Sequence, residues 1–76
     1  MTIEQLRQHV GQSITVSTGF DEVPPDATGT LKGVVKTPKG WRVVTSLHSE
    51  RAFYGGLRTL EYRLTLQRFN ASIKLN

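Results

Sequence analysis

The spacing of apolar residues changes along the chain, and each period predicts a different element. Near the N-terminus, apolar residues recur three or four positions apart: Ile3, Leu6 and Val10. Thr2 and Gln5 have the spacing of a capping box, and Gly11 can adopt the left-handed conformation that ends a helix. The pattern predicts a short helix ending near residue 10, with its apolar stripe packed against the rest of the domain.

From Ser13 the period becomes two, which is typical of a half-buried strand. Ile14 and Val16 alternate with serine and threonine, so these two side chains are predicted to face the core. Residues 19–28 then carry most of the acidic and proline residues of this half: Asp21, Glu22, Pro24, Pro25 and Asp26. This composition predicts an exposed loop, longer than most hairpin connections, that is a candidate contact for a protein partner.

Residues 29–48 have the pattern of a β-hairpin. Pro38-Lys39-Gly40 predicts a type I turn with Gly40 in the left-handed bulge position. That turn sets a register in which Thr37 faces Trp41 and Lys36 faces Arg42. One face is then apolar and buried: Leu31, Val35, Val43 and Leu47. The other face carries bases and a histidine around two valines: Lys32, Lys36, Arg42 and His48, with Val34 and Val44. A two-residue loop would mix these sets, which favours the bulged turn.

The rest of the chain adds two strands. Residues 49–59 read as a loop with one helical turn. Apolar and polar residues alternate over residues 60–67, which predicts a strand. Its apolar side chains are predicted to face inward: Leu60, Tyr62, Leu64 and Leu66. A turn near Asn70 leads to a short last strand that carries Ala71, Ile73 and Leu75. The sequence therefore predicts a mainly β domain of one short helix and about five strands.

Length and composition restrict the class of protein. With 76 residues and no cysteine, residues 1–76 are expected to form a single domain without disulfides or cysteine-ligated zinc. The net charge of +4 is uneven, because residues 1–26 hold one base and four acids whereas residues 27–76 hold nine bases and two acids. No secretory signal or membrane-spanning run is apparent, so we expect a cytoplasmic protein that does not contact membranes.

No arrangement of residues indicates catalysis or a cofactor. His9 and His48 fall on different predicted elements, and the acidic residues of the 19–28 loop lack the ligand spacing of a calcium site. We therefore expect a binding module that is not an enzyme and has no cofactor or metal.

The short glycine-ended helix, the strand Ile14-Thr15-Val16, and the segment Gly29-Thr30-Leu31-Lys32-Gly33 resemble the Sm-like proteins. The resemblance covers about residues 2–47 and implies a five-stranded SH3-like (Sm-like) small barrel, assembly of copies into rings, and RNA binding. Lys36-Thr37-Pro38-Lys39 replaces the Asp-x-x-Asn of the family, and no Arg-Gly pair occurs near Arg68-Phe69-Asn70. An OB-fold, with a helix in residues 49–57, fits the same strand pattern.

The bases of the hairpin are the predicted binding site. Four of them would form an anion-binding surface for RNA or another single-stranded nucleic acid: Lys32, Lys36, Lys39 and Arg42. Arg63, on a neighbouring strand, would extend this surface. Three aromatic residues are candidates for stacking on bases: Trp41, Phe53 and Tyr54. The alternative function is a protein-interaction or assembly subunit without a nucleic-acid role, which would contact its partner through the 19–28 loop or an open sheet edge.

Overall fold

The computed structural model describes residues 1–20, 23–48 and 59–76, and it is mainly β. Two short helices and five strands follow one another along the chain: α1 (Ile3–Arg7), β1 (Ser13–Val16), β2 (Thr28–Thr37), β3 (Gly40–His48), β4 (Thr59–Leu64), α2 (Leu66–Ser72) and β5 (Ile73–Leu75). Several predicted features lie outside the described residues: the helical turn of the 49–59 loop, the OB-type helix in residues 49–57, the acids Asp21 and Glu22, and the aromatic pair Phe53 and Tyr54.

The N-terminal helix begins as its sequence predicts. The Thr2 hydroxyl accepts a hydrogen bond from the Gln5 N–H at 3.2 Å, and the Gln5 side chain accepts one from the Thr2 N–H at 2.8 Å. Leu6 is fully buried, and Gly11 has a φ of +94°. Val10, however, is 50% exposed, because the helix ends at Arg7 and the following turn directs residue 10 away from the core. The predicted three-residue apolar stripe is therefore wrong at its last member.

The five strands form one antiparallel sheet in the order β4-β3-β2-β1-β5. The predicted closure into a barrel is not seen, because β4 and β5 lie at the two edges and do not pair with each other. Helix α2 joins these two strands and contacts β3, β4 and β5, so it covers the inner face of the sheet where closure would bring the edges together.

The hairpin of β2 and β3 has a different register from the one that its turn residues predict. Thr37 pairs with Gly40 across a loop of only Pro38 and Lys39, although Gly40 does have a positive φ of +118°. The ladder continues with Lys36 opposite Trp41, Val35 opposite Arg42, and Val34 opposite Val43. The extra residue lies in the middle of β2, between Leu31 and Gly33, where a β-bulge shifts the register.

This shift exchanges the two faces of β2 beyond the bulge, whereas the side chains of β3 keep their predicted faces. Val34 packs against the core, whereas Val35, predicted to be buried, is 37% exposed. Leu31, Val43 and Leu47 are fully buried as predicted. The exchange occurs because directly opposite residues share a face, and a one-residue shift moves every side chain of β2 beyond the bulge to the other side.

The end of the chain also departs from the prediction. Leu64 is buried at the end of β4, with Leu60 and Tyr62 packed against the core, but Leu66 and Asn70 belong to a helix rather than to a strand and a turn. The Thr65 hydroxyl caps this helix by accepting a hydrogen bond from the Arg68 N–H at 3.1 Å. Phe69, three positions after Leu66, is 1% exposed and anchors α2 on the sheet. The predicted strand residue Ala71 is likewise helical.

The core fills the space between the inner face of the sheet and the segments that cover it. Its buried side chains come from α1, all five strands, the 20–27 loop and α2: Leu6, Ile14, Val16, Phe20, Val23, Ala27, Leu31, Val43, Leu47, Leu64, Phe69 and Ile73. Phe20 meets Tyr62 edge to face, with ring centroids 6.1 Å apart. No described helix is long and apolar enough to cross a membrane.

A pair of substitutions tests this division into buried and exposed positions. We expect Leu64→Ala to lower the free energy of unfolding by about 2–5 kcal/mol, because it leaves a cavity beneath the sheet. Val35→Ala should change it by only about 0.5 kcal/mol, since this valine is partly in solvent. Urea denaturation followed by tryptophan fluorescence measures both. A larger loss for Val35→Ala than for Leu64→Ala would contradict the observed register.

Candidate functional site

The outer half of the β2–β3 hairpin projects beyond the strands on either side of it. β1 pairs with β2 only at residues 28–30, and β4 pairs with β3 only at residues 43–48. Among the described strands, residues 32–42 therefore pair only within the β2–β3 hairpin. We call residues 32–42 the arm.

The arm is kept in shape by its turn and by the bulge at its base. The Thr37 hydroxyl donates a hydrogen bond to the Gly40 carbonyl at 2.6 Å and accepts one from the Lys39 N–H at 3.2 Å. Two backbone groups at the tip are thus satisfied by one side chain, as is typical of threonine in turns. Lys39 is consequently held at the exposed end of the arm.

The arm is strongly cationic. Residues 32–42 include four bases and no acid: Lys32, Lys36, Lys39 and Arg42. The three lysines are exposed and the arginine is half-buried. None of the four forms an ion pair with a described residue. Their charges are therefore not neutralised by the parts of the domain that the structure describes.

The structure does not bring the predicted site residues onto one face. Lys36 and Arg42 were predicted to be cross-strand neighbours, but Lys36 lies opposite Trp41 and Arg42 lies opposite Val35, so the two bases are on opposite faces of the arm. Lys32 is the unpaired residue of the bulge. The prediction of a single basic face is therefore wrong. The arm instead presents cations on both faces and at its tip.

On the inner face, Lys36 lies beside an aromatic residue that already contacts a cation. The guanidinium carbon of Arg7 is 5.0 Å from the centroid of the Trp41 ring, within the range of a cation–π interaction. Arg7 also forms a 3.2 Å ion pair with Glu4 of the same helix. Helix α1 thus contacts the arm near its turn, and Trp41 is half-buried rather than free for stacking on both sides.

On the outer face, Arg42 and Arg63 are diagonal neighbours. Arg63 pairs with Val44, two residues after Arg42 on the same face of β3. Diagonal side chains of this kind are within reach of each other when they are long. The Arg42 guanidinium donates a hydrogen bond to the Trp41 carbonyl at 2.8 Å, which fixes it along the arm. Arg63 is exposed, and its Nε atom forms an ion pair with the Glu61 carboxylate at 3.9 Å. Arg63 can therefore extend the predicted site on the outer face, where its neighbour is Arg42, but it does not share a face with Lys36.

The two histidines lie on different segments, His9 in the turn after α1 and His48 at the end of β3, and each has a local partner. The Nδ1 atom of His9 is 2.8 Å from the Gln12 side-chain oxygen, and that of His48 is 3.5 Å from the Thr59 hydroxyl. In the described ranges no three acidic or histidine side chains form a group that could hold a metal ion. The arrangement that the structure offers for chemistry is therefore the set of cations on the arm.

Comparisons with protein families, with curated proteins and with solved structures found no match to this chain.

Proposed function

We propose that this protein is a small nucleic-acid-binding module whose arm contacts the sugar-phosphate backbone. The observation that carries the proposal is the projecting arm with four bases and no acid. Phosphates are the natural counterions for such a surface, and the release of condensed ions from the nucleic acid favours binding.

The distribution of the bases on both faces suits a strand of nucleic acid that follows or wraps the arm. A flat protein partner would meet only one face of the arm, whereas a flexible single strand can contact Lys36 on one side, Lys39 at the tip and Arg42 on the other. A two-stranded ribbon also fits the major groove of duplex DNA. We favour RNA or another single strand because it adapts to the arm without deformation of a helix.

We further propose that the open sheet is an SH3-like arrangement of the Sm-like kind. Strands β1 to β4 are joined in a meander, and β5 returns through α2 to pair with β1. The glycines at positions 29 and 33, on which the resemblance rests, lie at a close approach of two strands and beside the β2 bulge. Two of the cations of the arm, Lys36 and Lys39, lie in the segment 36–39, where this sequence differs from the family.

The proposal is tested by titrating the wild-type protein against labelled single-stranded RNA, single-stranded DNA and duplex DNA over a range of salt concentrations. If the four bases of the arm each neutralise one phosphate, the slope of log affinity against log salt should be about −3 on single strands and about −4 on duplex. Fluorescence anisotropy measures the affinities.

Two results would overturn the proposal. One is the absence of binding to all three nucleic acids at low salt, and the other is binding whose affinity does not change with salt. Either result would favour the alternative function, a protein-interaction or assembly subunit whose bases only increase solubility.

A further inference from the structure

Strand β4 presents an edge on which no described strand is placed. In an antiparallel sheet, the backbone N–H and C=O of successive residues point alternately to the two sides of the strand. The Thr45 hydroxyl of β3 donates to the Tyr62 carbonyl at 3.3 Å, so the backbone of Tyr62 faces β3. The backbone groups of Glu61 and Arg63 therefore point to the outer edge.

The charges on this edge distinguish it from the other edges. β5 has Lys74 as its one charged side chain, and the side of β2 that extends beyond β1 carries Lys36. Lysine on an edge strand opposes pairing with another copy, because it brings like charges together. β4 instead carries an acid and a base, Glu61 and Arg63, both exposed on the outer face of the sheet.

We propose that two copies of this protein pair through their β4 strands, antiparallel, with Glu61 of each copy opposite Arg63 of the other. The sheet then continues across a twofold axis at Tyr62. The outward-facing backbone groups of Glu61 and Arg63 form four hydrogen bonds with the same residues of the second copy, and the side chains form two ion pairs. Such an interface is isologous, since both copies use the same residues.

The charges select this register over its neighbour. A shift by two residues keeps outward-facing backbone groups opposite each other but places Glu61 against Glu61, or Arg63 against Arg63. Like charges directly opposite destabilise a strand pair, whereas opposite charges stabilise it. In the proposed register Leu60 also lies opposite Leu64 of the second copy, so the apolar inner faces of the two sheets meet. The short strand makes this a small interface and hence a weak dimer.

Charge reversal tests the pairing. Sedimentation equilibrium without nucleic acid should show a concentration-dependent dimer for the wild type. Glu61→Arg and Arg63→Glu should each weaken it at least about tenfold, because each creates two like-charged pairs. The double variant E61R/R63E should restore the wild-type affinity, and an equimolar mixture of the two single variants should form a heterodimer. Lys74→Glu, a reversal on the β5 edge, is the matched control and should leave the dimer unchanged.

Amide hydrogen exchange provides a second measurement that needs no substitution. The amides of Glu61 and Arg63 should exchange more slowly as the wild-type concentration rises, while that of Tyr62, already directed to β3, should change little. The proposal is overturned if the wild type remains monomeric up to millimolar concentration, if it forms a larger ring, or if E61R/R63E does not recover the dimer. Circular dichroism confirms that each variant is folded before its association is measured.

Discussion

Replacing Gly29 with alanine is expected to prevent this domain from folding, although it adds only one methyl group. Gly29 pairs with Ile14 of β1 and with Leu47 of β3, so it lies in the middle of the sheet. A Cβ atom at this position would collide with the carbonyl oxygen of Ser46 and lie 3.0 Å from the Cα atom of Leu47. These obstacles belong to the backbone of a central strand, which cannot move without breaking the ladder.

The expected cost is at least about 3 kcal/mol, the upper part of the range for overpacked interiors, because no flexible side chain can give way. For a domain of 76 residues that is a large share of the total stability. Gly33→Ala in the same strand is the matched control. A Cβ atom there meets nothing within 4 Å, and the residue has no positive φ. Gly33→Ala should therefore be neutral or stabilise by about 0.5 kcal/mol.

Thermal unfolding followed by circular dichroism distinguishes the two glycines. We expect no cooperative transition for Gly29→Ala and a melting temperature at or slightly above that of the wild type for Gly33→Ala. Equal melting temperatures for the two variants would mean that β2 and β3 are not in close contact at Gly29.

Local signals in the sequence were sufficient for the first part of the fold. The capping box of Thr2 and Gln5, the left-handed Gly11 and the alternation around Ile14 each depend on residues only a few positions apart. Side-chain capping and period-two burial are decided at that range, and the structure has both. Val10 was misplaced because three apolar residues at helical spacing do not show where a helix ends.

The register of the hairpin could not be obtained from its turn residues. Pro38 and Gly40 permit both a two-residue loop and a bulged turn, and the choice depends on where the extra residue of β2 is accommodated. The structure accommodates it at Lys32, beside Gly33, which lets Leu31 and Val34 both reach the core. That arrangement depends on contacts with α1 and with the other strands, and these are not visible in the spacing of residues along the hairpin.

Helix α2 was missed for a related reason. The alternation of β4 continues through Leu66, so the pattern alone favours one long strand. The competing signals were the capping residue Thr65 and the spacing of Leu66 and Phe69, which place two apolar side chains on one helical face. A short connection across the inner face of the sheet favours the helix because it buries Phe69.

The sequence predicts which bases belong to the candidate site but not how they are arranged in space. The concentration of bases in the hairpin follows directly from the sequence, and so does the absence of acids there. The contact of Arg7 with Trp41 joins residues that are distant in the chain, and the separation of Lys36 from Arg42 depends on the register. The outward-facing edge of β4 was likewise evident only once the neighbouring strand was known.

The largest functional effect is expected when bases are removed from both faces of the arm. The double substitution Lys36→Ser and Arg42→Ser should lower the affinity for single-stranded RNA and flatten its salt slope by about 1.4 units, since each lost phosphate contact contributes about 0.7. Because these residues are not cross-strand neighbours, their removal relieves no mutual repulsion. Loss of the Arg42 hydrogen bond to Trp41 should cost about 1 kcal/mol of stability and leave the protein folded.

The matched control removes the same types of charge elsewhere on the surface. Arg68 lies on α2 and Lys74 on β5, and both are exposed. Arg68→Ser with Lys74→Ser changes the net charge by the same amount, so an affinity that depended only on overall charge would fall equally in both double variants. If the arm binds the nucleic-acid backbone, the control retains the wild-type salt slope, while the slope of the arm variant is flatter by about 1.4 units. The single substitutions Lys36→Ser and Arg42→Ser then test the two faces separately, and each should lower the affinity. If only one of the two lowered it, the nucleic acid would contact a single face, which contradicts a ligand that contacts both.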